Sequence, residues 1–210
     1  MRGIEQIPWL YDLSMLLMPG LQRWRRSLAR LARGRVLEVG CGTGQMLPLY
    51  PDSVELYGLD PNVDALLRAQ RRAPGAKLLC ATAEHLPFPD QFFDTLVSSL
   101  VFCSVADPDR GLAEIRRVLK PQGRLLMLEH VHAQNHIGRW VLDTLQPPWT
   151  RLTGGCHPNR DTETRVEGAG FHIEHACYKA SGLMRHFVAT PELRAPGRAS
   201  GSLRASARPS

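Results

Sequence analysis

The sequence holds few cysteines, and none is arranged for pairing or for metal binding. Its 210 residues include five cysteines, an odd number, with no Cys-x-x-Cys pair. A disulfide framework uses an even set of cysteines, and a structural zinc site uses closely spaced pairs. The sequence therefore argues against a disulfide-stapled module and a structural metal. It favours a reducing, cytoplasmic location.

The amino-terminal region lacks an apolar run long enough to cross a membrane. The stretch from Ile7 to Met18 is interrupted by Pro8 and Asp12. A membrane-spanning helix needs about 20 predominantly apolar residues, so this stretch is too short. No cleavage pattern follows it, and we expect no signal peptide.

Lysine is scarce, since 23 of the 26 basic residues are arginine. Residues 21–35 carry six arginines and no acid, whereas residues 191–210 carry four arginines and one glutamate. The net charge of these two stretches together is larger than the +6 of the whole chain, so the remaining residues carry a slight negative charge. Neither stretch contains a recognised nucleic-acid-binding module, and Trp24 is the one aromatic residue among these arginines. We expect a solvated helix face, a disordered tail and no nucleic-acid partner, and the alternative is binding of an anionic surface or of nucleic acid.

A glycine-rich loop is the most informative segment that the sequence does contain. Gly40, Gly42 and Gly44 stand at alternate positions directly after the apolar segment 36–39. Glycine adopts backbone angles that strain other residues, and it lets a ligand approach the main chain closely. We expect a helix over 45–50 whose amino-terminal amides point into the turn. This pattern predicts a ligand-binding loop.

An acidic residue follows the loop at an informative distance. The second apolar stretch, 54–59, is followed directly by Asp60. At the carboxyl edge of a parallel sheet such an acid accepts hydrogen bonds from ribose hydroxyls, so we expect a nucleoside ligand. A dinucleotide fingerprint reads Gly-x-Gly-x-x-Gly, and the sixth position from Gly40 is Gln45. An NAD-dependent oxidoreductase is therefore the weaker alternative.

Apolar runs and helical patterns alternate along the chain. The predicted strands cover residues 35–39, 54–59, 77–81, 95–99, 124–129, 171–178 and 182–188. The predicted helices cover residues 21–31, 45–50, 63–72, 110–119, 137–150, with a break at Pro147 and Pro148, and 161–169. This alternation predicts an α/β fold, with a Rossmann-like, mostly parallel seven-stranded sheet between two layers of helices.

The segment Glu38–Gly44 reads Glu-Val-Gly-Cys-Gly-Thr-Gly. It resembles the first motif of the class I S-adenosylmethionine-dependent methyltransferases. Three later segments resemble the small-molecule group that includes the ubiquinone and menaquinone C-methyltransferases (methyltransferase type 11): 83–90, 92–94 and 117–125. Three further segments resemble thiol methyltransferase-like and phospholipid N-methyltransferase-like proteins: 100–105, 129–131 and 154–162. The resemblance covers residues 11–188.

The resemblance implies S-adenosylmethionine as cofactor and S-adenosylhomocysteine as product. Glu38 would help to hold the methionine end, and Ser99 and Leu100 would face it through their carbonyls. Tyr11 belongs to a Tyr-Asp element that folds an amino-terminal helix over the cofactor. The implied cofactor-binding residues are Glu38, Gly40, Cys41, Gly42, Gly44, Asp60, Pro61, Thr82, Ala83, Glu84, Ser99, Leu100 and Tyr11.

Thr82 departs from the family pattern. Relatives commonly place an aspartate there, which accepts a hydrogen bond from the adenine amino group. A threonine hydroxyl accepts that bond more weakly, so the backbone of Ala83 and Glu84 would carry more of the adenine contact.

Methyl transfer from a sulfonium depends chiefly on alignment and on exclusion of water, and a general base is needed only for some acceptors. The candidates near the expected pocket are His130, His157 and Asp161, with Cys103 beside them. We expect a small, hydrophobic acceptor such as a thiol, an amine or a quinol-like ring. Contact of the amino-terminal segment with a membrane surface is also compatible with the sequence.

The sequence divides into an amino-terminal helical lid (1–34), a methyltransferase domain (35–190) and a disordered basic tail (191–210). A catalytically degenerate, cofactor-binding partner subunit remains an alternative function. An amino-methylating enzyme of nucleic acids is weaker, because its Asn/Asp-Pro-Pro-aromatic element is replaced by Ser98-Ser99-Leu100-Val101.

Overall fold

The structure is a computed structural model. It describes residues 7–16, 19–130, 136–153, 155–157, 159–174, 178–181 and 184–192. The helices are α1 (Pro8–Leu16), α2 (Pro19–Ala29), α3 (Val63–Arg72), α4 (Pro108–Val118), α5 (His136–Thr153) and α6 (Thr162–Gly168). The strands are β1 (Arg35–Val39), β2 (Glu55–Leu59), β3 (Lys77–Leu79), β4 (Phe93–Ser99), β5 (Leu119–His130), β6 (Phe171–Ile173), β7 (Lys179–Ser181) and β8 (Met184–Pro191).

The strands form one sheet in the order β3-β2-β1-β4-β5-β8-β6, with β7 paired to β8. The first five strands are parallel, and β8 runs antiparallel to β5, β6 and β7. The order reverses between β1 and β4, which flank each other at the centre. Ligands of open α/β sheets bind at such a reversal, beyond the carboxyl ends of the strands. The topology therefore places the glycine loop at the expected binding edge.

Apolar side chains cover both faces of this sheet. Along β5, Leu125 and Met127 belong to one buried cluster, whereas Leu126 and Leu128 belong to the other. Alternation along a strand sends neighbouring side chains to opposite faces, so a strand covered on both sides is apolar throughout. Buried residues of α4 and α6 join the first cluster, and those of α2 and α3 join the second.

Short polar side chains begin three of the helices. Asn62, Asp107 and Asp161 each accept a hydrogen bond from a backbone amide in the first turn, of α3, α4 and α6 respectively. An acceptor at this position satisfies an amide that the helix leaves without a partner. The prediction of a helix over 63–72 is confirmed to the residue.

The predicted helix after the glycine loop is wrong. Residues 45–50 hold only a single 3-10 turn, Leu47–Leu49. Pro48 stands in its first turn, and Pro51 follows. Six residues between a left-handed Gly44 and a proline leave no room for an α-helix. No helix dipole therefore serves the glycine loop.

Several elements extend beyond their predicted bounds, α5 and β8 among them. Helix α5 continues through Pro147 and Pro148 to Thr153. Both prolines are exposed, and a helix can lose amide donors where the released carbonyls meet water. Strand β8 continues to Pro191, which pairs with Phe171. The disordered tail predicted over 191–210 therefore begins too early, because Pro191 ends β8 and the amide of Glu192 donates to the carbonyl of Gly170. Residues 193–210 of that tail lie outside the described residues.

Among the described residues, no helix combines the length and the apolar character needed to cross a bilayer.

Candidate functional site

The three loop glycines have left-handed backbones for different reasons. Gly40, Gly42 and Gly44 have φ values of +66°, +53° and +77°. An added Cβ would lie 2.6 Å from a methyl carbon of Val101 at Gly40, and 2.8 Å from the Cα of Ala69 at Gly44. At Gly42 it would meet no atom of the described residues within 4 Å. Gly42 therefore exposes its backbone to open space, where a ligand can approach.

Asp60 lies beside this open backbone. Its Oδ2 accepts a hydrogen bond from the amide of Gly42 at 2.9 Å, and its Oδ1 accepts one from the amide of Asn62 at 2.8 Å. Burial raises the pKa of Asp60, and the two amides offset part of that rise. A carboxylate has about four acceptor positions, so two remain for further donors such as a pair of hydroxyls.

Opposite charges lie buried beneath the loop, on Glu38 of β1 and Arg25 of α2. Each residue is only 3% exposed. Burial raises the pKa of Glu38 to about 7, and the Tyr50 hydroxyl and the charge of Arg25 lower it only partly. Glu38 Oε2 and Arg25 Nη1 have no hydrogen-bond partner among the described residues.

The rest of the Arg25 guanidinium is held firmly. Its Nε donates to Ser99 Oγ at 3.3 Å, and its Nη2 donates to the hydroxyl of Tyr11 at 2.9 Å. Buried charges are costly unless they are paired and hydrogen-bonded. An unsatisfied carboxylate oxygen near an unsatisfied guanidinium nitrogen matches the two charged groups of an amino acid, such as the methionine end of S-adenosylmethionine.

Sequence reasoning missed Arg25, because it assigned the arginines of this helix to a solvated face. Arg23, Arg26 and Arg30 are indeed exposed. Arg25 lies one helical turn after Leu21 and three residues before Leu28, both of which are buried. That spacing puts Arg25 on the inward face of α2, and it was the signal that could have identified the residue.

The turn after β4 adopts a strained conformation close to the same charges. Leu100 has φ of +61°, a left-handed value uncommon for residues other than glycine, and its amide donates to the carbonyl of Leu128 at 2.8 Å. Glu129 Oε1 accepts from Ser98 Oγ at 2.6 Å and from the amide of Val101 at 3.2 Å. Such strain persists only where the surroundings impose it, as the buried Glu129 does here.

Helix α1 lies against the glycine loop through Asp12. The Asp12 carboxylate accepts from Thr43 Oγ1 at 2.6 Å, from Gln45 Nε2 at 2.8 Å and from Arg72 Nη2 at 2.8 Å. Burial raises the pKa of Asp12, but the bonds from Arg72, Thr43 and Gln45 outweigh it and the pKa falls below its ordinary value. This ion pair ties the helix that carries Tyr11 to both the loop and α3.

The segment predicted to contact adenine surrounds Glu84. The hydroxyl of Thr82 donates to Glu84, and the Glu84 carboxylate accepts from the amides of Ala106 and Asp107 at 3.1 and 3.2 Å. Thr82 is exposed and Ala83 is buried. Pro61 is exposed beside Asp60, and its carbonyl accepts from the thiol of Cys80 at 3.7 Å.

The three candidate bases lie in different settings. His130 ends β5, and its side chain lies outside the described residues. The amide of His157 donates to the carbonyl of Cys103 at 2.8 Å, and its Nδ1 lies 3.3 Å from the same oxygen. Asp161 is exposed, and its carboxylate accepts from Thr164 as the cap of α6. The geometry thus brings His157 and Cys103 together and gives Asp161 a structural contact.

Comparison with known proteins matches residues 37–127 to the family described as Methyltransferase domain. A thiol S-methyltransferase of Rattus norvegicus is 33% identical over 65% of this chain and 59% of its own length. The phosphatidylethanolamine N-methyltransferase of Cereibacter sphaeroides is 36% identical over 58% of this chain and 63% of its own length. The demethylmenaquinone methyltransferase of Renibacterium salmoninarum is 34% identical over 58% of this chain and 54% of its own length. The chain thus spans less than two thirds of the length of these relatives.

The fold also has solved counterparts. The crystal structure of an S-adenosylmethionine-dependent methyltransferase from Thermotoga maritima superimposes with a TM-score of 0.72 at 21% identity, covering 90% of this chain and 98% of the other. The predicted α/β class I fold is confirmed. Residues 37–127 thus resemble a methyltransferase domain, and the chain has the fold of the class I S-adenosylmethionine-dependent methyltransferases.

Proposed function

We propose that the protein binds S-adenosylmethionine and catalyses methyl transfer to a small, hydrophobic acceptor, releasing S-adenosylhomocysteine. One observation carries the cofactor assignment. Two buried groups of opposite charge, Glu38 and Arg25, retain unsatisfied polar atoms beside an open glycine backbone. An amino acid that carries both an ammonium and a carboxylate satisfies both atoms at once, and a neutral or singly charged ligand does not.

In the proposed arrangement Arg25 binds the α-carboxylate of the cofactor and Glu38 binds its ammonium group. Asp60 accepts the ribose hydroxyls while it keeps its bond to the Gly42 amide. Thr82 and the backbone of Ala83 and Glu84 face the adenine. Gly40, Cys41 and Gly44 shape the loop, and Pro61 turns the chain after Asp60.

The bound cofactor supplies a methyl group that its sulfonium has already activated. The protein therefore has to orient the acceptor and exclude water, more than to perform acid–base chemistry. We assign orientation to the turn at Ser99 and Leu100, which Glu129 braces next to the Arg25 contact. For an acceptor that must lose a proton, His157 and His130 are the proposed bases, with Asp161 in support.

The acceptor class is proposed as a thiol, an amine or a quinol-like ring. Curated relatives carry names that refer to thiols, to phosphatidylethanolamine and to demethylmenaquinone. These names span sulfur, nitrogen and carbon acceptors. Exposed tryptophans on α1 and α5, Trp9, Trp140 and Trp149, are compatible with an apolar acceptor.

We further propose that residues 1–34 act as a lid, that residues 35–190 form the catalytic domain and that the protein works in the cytoplasm. The contacts of Tyr11 with Arg25 and of Asp12 with Thr43 support the lid, because they fasten α1 over the glycine loop. The basic segment 193–210, which follows the end of β8, is proposed as a flexible tail.

Thr82 supports a second candidate, a cofactor-binding partner subunit without catalysis. Its hydroxyl is already engaged by Glu84, which weakens the adenine contact. One solved structure is a complex between a Haloferax volcanii methyltransferase activator and a methyltransferase. It matches this chain at 18% sequence identity, and this likeness shows a shared fold alone.

Calorimetry with S-adenosylmethionine, S-adenosylhomocysteine and NAD tests the proposal. We expect micromolar binding of the first two and none of NAD. Screening of thiols, amines and quinols by release of S-adenosylhomocysteine then separates the enzyme from the partner subunit. Binding without turnover of any acceptor class would favour the subunit, and failure of both adenosyl ligands to bind would refute the site.

A further inference from the structure

Helix α5 is unusual because it exposes several large apolar side chains to solvent. Trp140 is 69% exposed, Leu145 and Leu152 are each 57% exposed, and Trp149 is 47% exposed. At about 100° per residue, Leu145, Trp149 and Leu152 fall within about 60° of one another around the helix. A surface helix ordinarily turns such a stripe towards the core. This apolar stripe faces outward instead.

The polar side of the same helix contacts the segment that follows it. Asp143 and Gln146 accept hydrogen bonds from Asn159 Nδ2 at 2.9 and 3.3 Å. Thr150 Oγ1 donates to the carbonyl of Cys156 at 2.8 Å. These polar contacts attach the helix to the segment after it, and the apolar stripe on its other side stays exposed.

A second exposed apolar pair lies at the same edge of the sheet. Trp9 and Leu13 of α1 are 58% and 52% exposed, and they stand one helical turn apart on one face. Helix α1 contacts the glycine loop after β1 through Asp12. The segment after α5 contacts the turn after β4 through His157 and Cys103. Both apolar faces therefore flank the carboxyl edge, where β1 and β4 end.

The exposed apolar residues of the two helices, Trp9 and Leu13 of α1 and Leu145, Trp149 and Leu152 of α5, are called the α1–α5 face. We propose that this face docks on the surface of an anionic lipid bilayer. Tryptophan and leucine on one face of a helix, with arginine beside them, are the composition of helices that lie in the membrane interface. Arg151 is exposed next to Leu152 on α5, and the net charge of +6 is attracted to anionic headgroups. The tryptophans of these helices are also compatible with an apolar acceptor, but docking is measured with vesicles and without methyl transfer, so it can fail separately from the proposed function.

Charge also favours a bilayer over a second copy of the chain. Self-association through this face would bring together two molecules of net charge +6, and each copy would add an Arg151 to the same contact. Like charges brought together at an interface are unfavourable. An anionic bilayer covers the same apolar residues and attracts the same charge.

Co-sedimentation with vesicles tests the proposal. We expect the protein to partition onto phosphatidylcholine vesicles containing phosphatidylglycerol more strongly than onto phosphatidylcholine alone, and we expect added salt to reduce that difference. Removing two apolar contacts in the double variant Leu145→Gln/Leu152→Gln should lower the partition coefficient by about tenfold. Arg151→Gln should lower binding to the anionic vesicles alone, by about fivefold.

Leu67 provides a matched control, since it is 59% exposed on α3. Leu67→Gln should bind vesicles as the unchanged protein does, and thermal unfolding of all variants should show that they are folded. Equal binding by the double variant and the unchanged protein would overturn the proposal, as would binding to neither kind of vesicle. Lipid-free dimerisation that the double variant abolishes would assign the face to a second copy instead.

Discussion

The carboxylate of Asp60 accepts a hydrogen bond from the amide of Gly42 at 2.9 Å, so the residue assigned to the ribose also fixes the loop that would approach the rest of the nucleoside. Gly42 is the loop glycine beside open space. The two functions are compatible, because one carboxylate can accept several hydrogen bonds at once.

Asp60→Ala should weaken S-adenosylhomocysteine binding by about 2–4 kcal/mol, because it removes two hydrogen bonds from ribose hydroxyls to a charged acceptor. Calorimetry measures the loss. Asp52→Ala, at an exposed acid outside the glycine loop, should leave the affinity unchanged. Unchanged affinity in Asp60→Ala would refute the assigned position of the ribose.

Arg25→Met should weaken S-adenosylhomocysteine binding at least tenfold and leave the affinity for 5′-methylthioadenosine unchanged, since the latter lacks the amino acid portion. A hydrogen bond to a charged group contributes about 1.5–3 kcal/mol, which sets this magnitude. Arg26→Met is the matched control, because Arg26 is the exposed neighbour on the same helix. A parallel loss of affinity for both ligands in Arg25→Met would instead indicate a collapsed site.

Glu38 should make the ligand-free protein less stable as the pH rises. Its ordinary pKa is 4.5 and burial raises it to about 7 in the folded state, so the folded state holds the extra proton between these values. Stability contributed by this group is therefore complete below pH 4.5 and is lost as the pH rises through 7, by up to about 3 kcal/mol. Thermal unfolding of Glu38→Gln should lack this component.

The same shift predicts proton release on binding. If the ligand's ammonium lies beside Glu38, it favours the charged carboxylate, so S-adenosylhomocysteine should displace a fraction of a proton near pH 6 and almost none above pH 8. Calorimetry in buffers of different ionisation enthalpy measures this number. Proton release that persists in Glu38→Gln would contradict the assignment.

Asp12→Ala should increase the dissociation rate of S-adenosylhomocysteine several-fold, because it removes the contacts that hold α1 to Thr43, Gln45 and Arg72. Stopped-flow displacement measures the rate. Asp64→Ala, at an exposed acid in the first turn of α3, is the control. An equal rate in Asp12→Ala would argue against a lid.

Local sequence patterns were sufficient to predict the elements whose signals lie within their own segment. Helix α3 follows from its cap at Asn62 and its inward apolar stripe, and both signals lie within the segment itself. The helix expected over 45–50 failed because backbone constraints at Gly44 and Pro48 outweigh apolar spacing. Periodicity alone cannot reveal such a conflict.

The candidate site shows the same division. Glu38, the glycines and Asp60 are close in sequence, so their spacing identified them. The setting of Arg25 depends on Ser99, a partner 74 positions away that only the folded sheet brings near. The cap formed by Asp161 had a sequence signal, because the predicted helix over 161–169 begins at that residue, but its carboxylate was assigned to catalysis instead. The assigned base residues, including His130, stay predictions.

The left-handed backbone of Leu100 limits how this turn can drift in evolution. At an ordinary buried position isoleucine or valine replaces leucine with little consequence. Branching at Cβ is poorly tolerated at positive φ, so here those substitutions should be rejected while glycine or asparagine is accepted. Position 100 should therefore exclude the residues most similar to leucine and admit small polar ones. Its pattern of substitutions would resemble that of a surface loop, although the residue packs against the core.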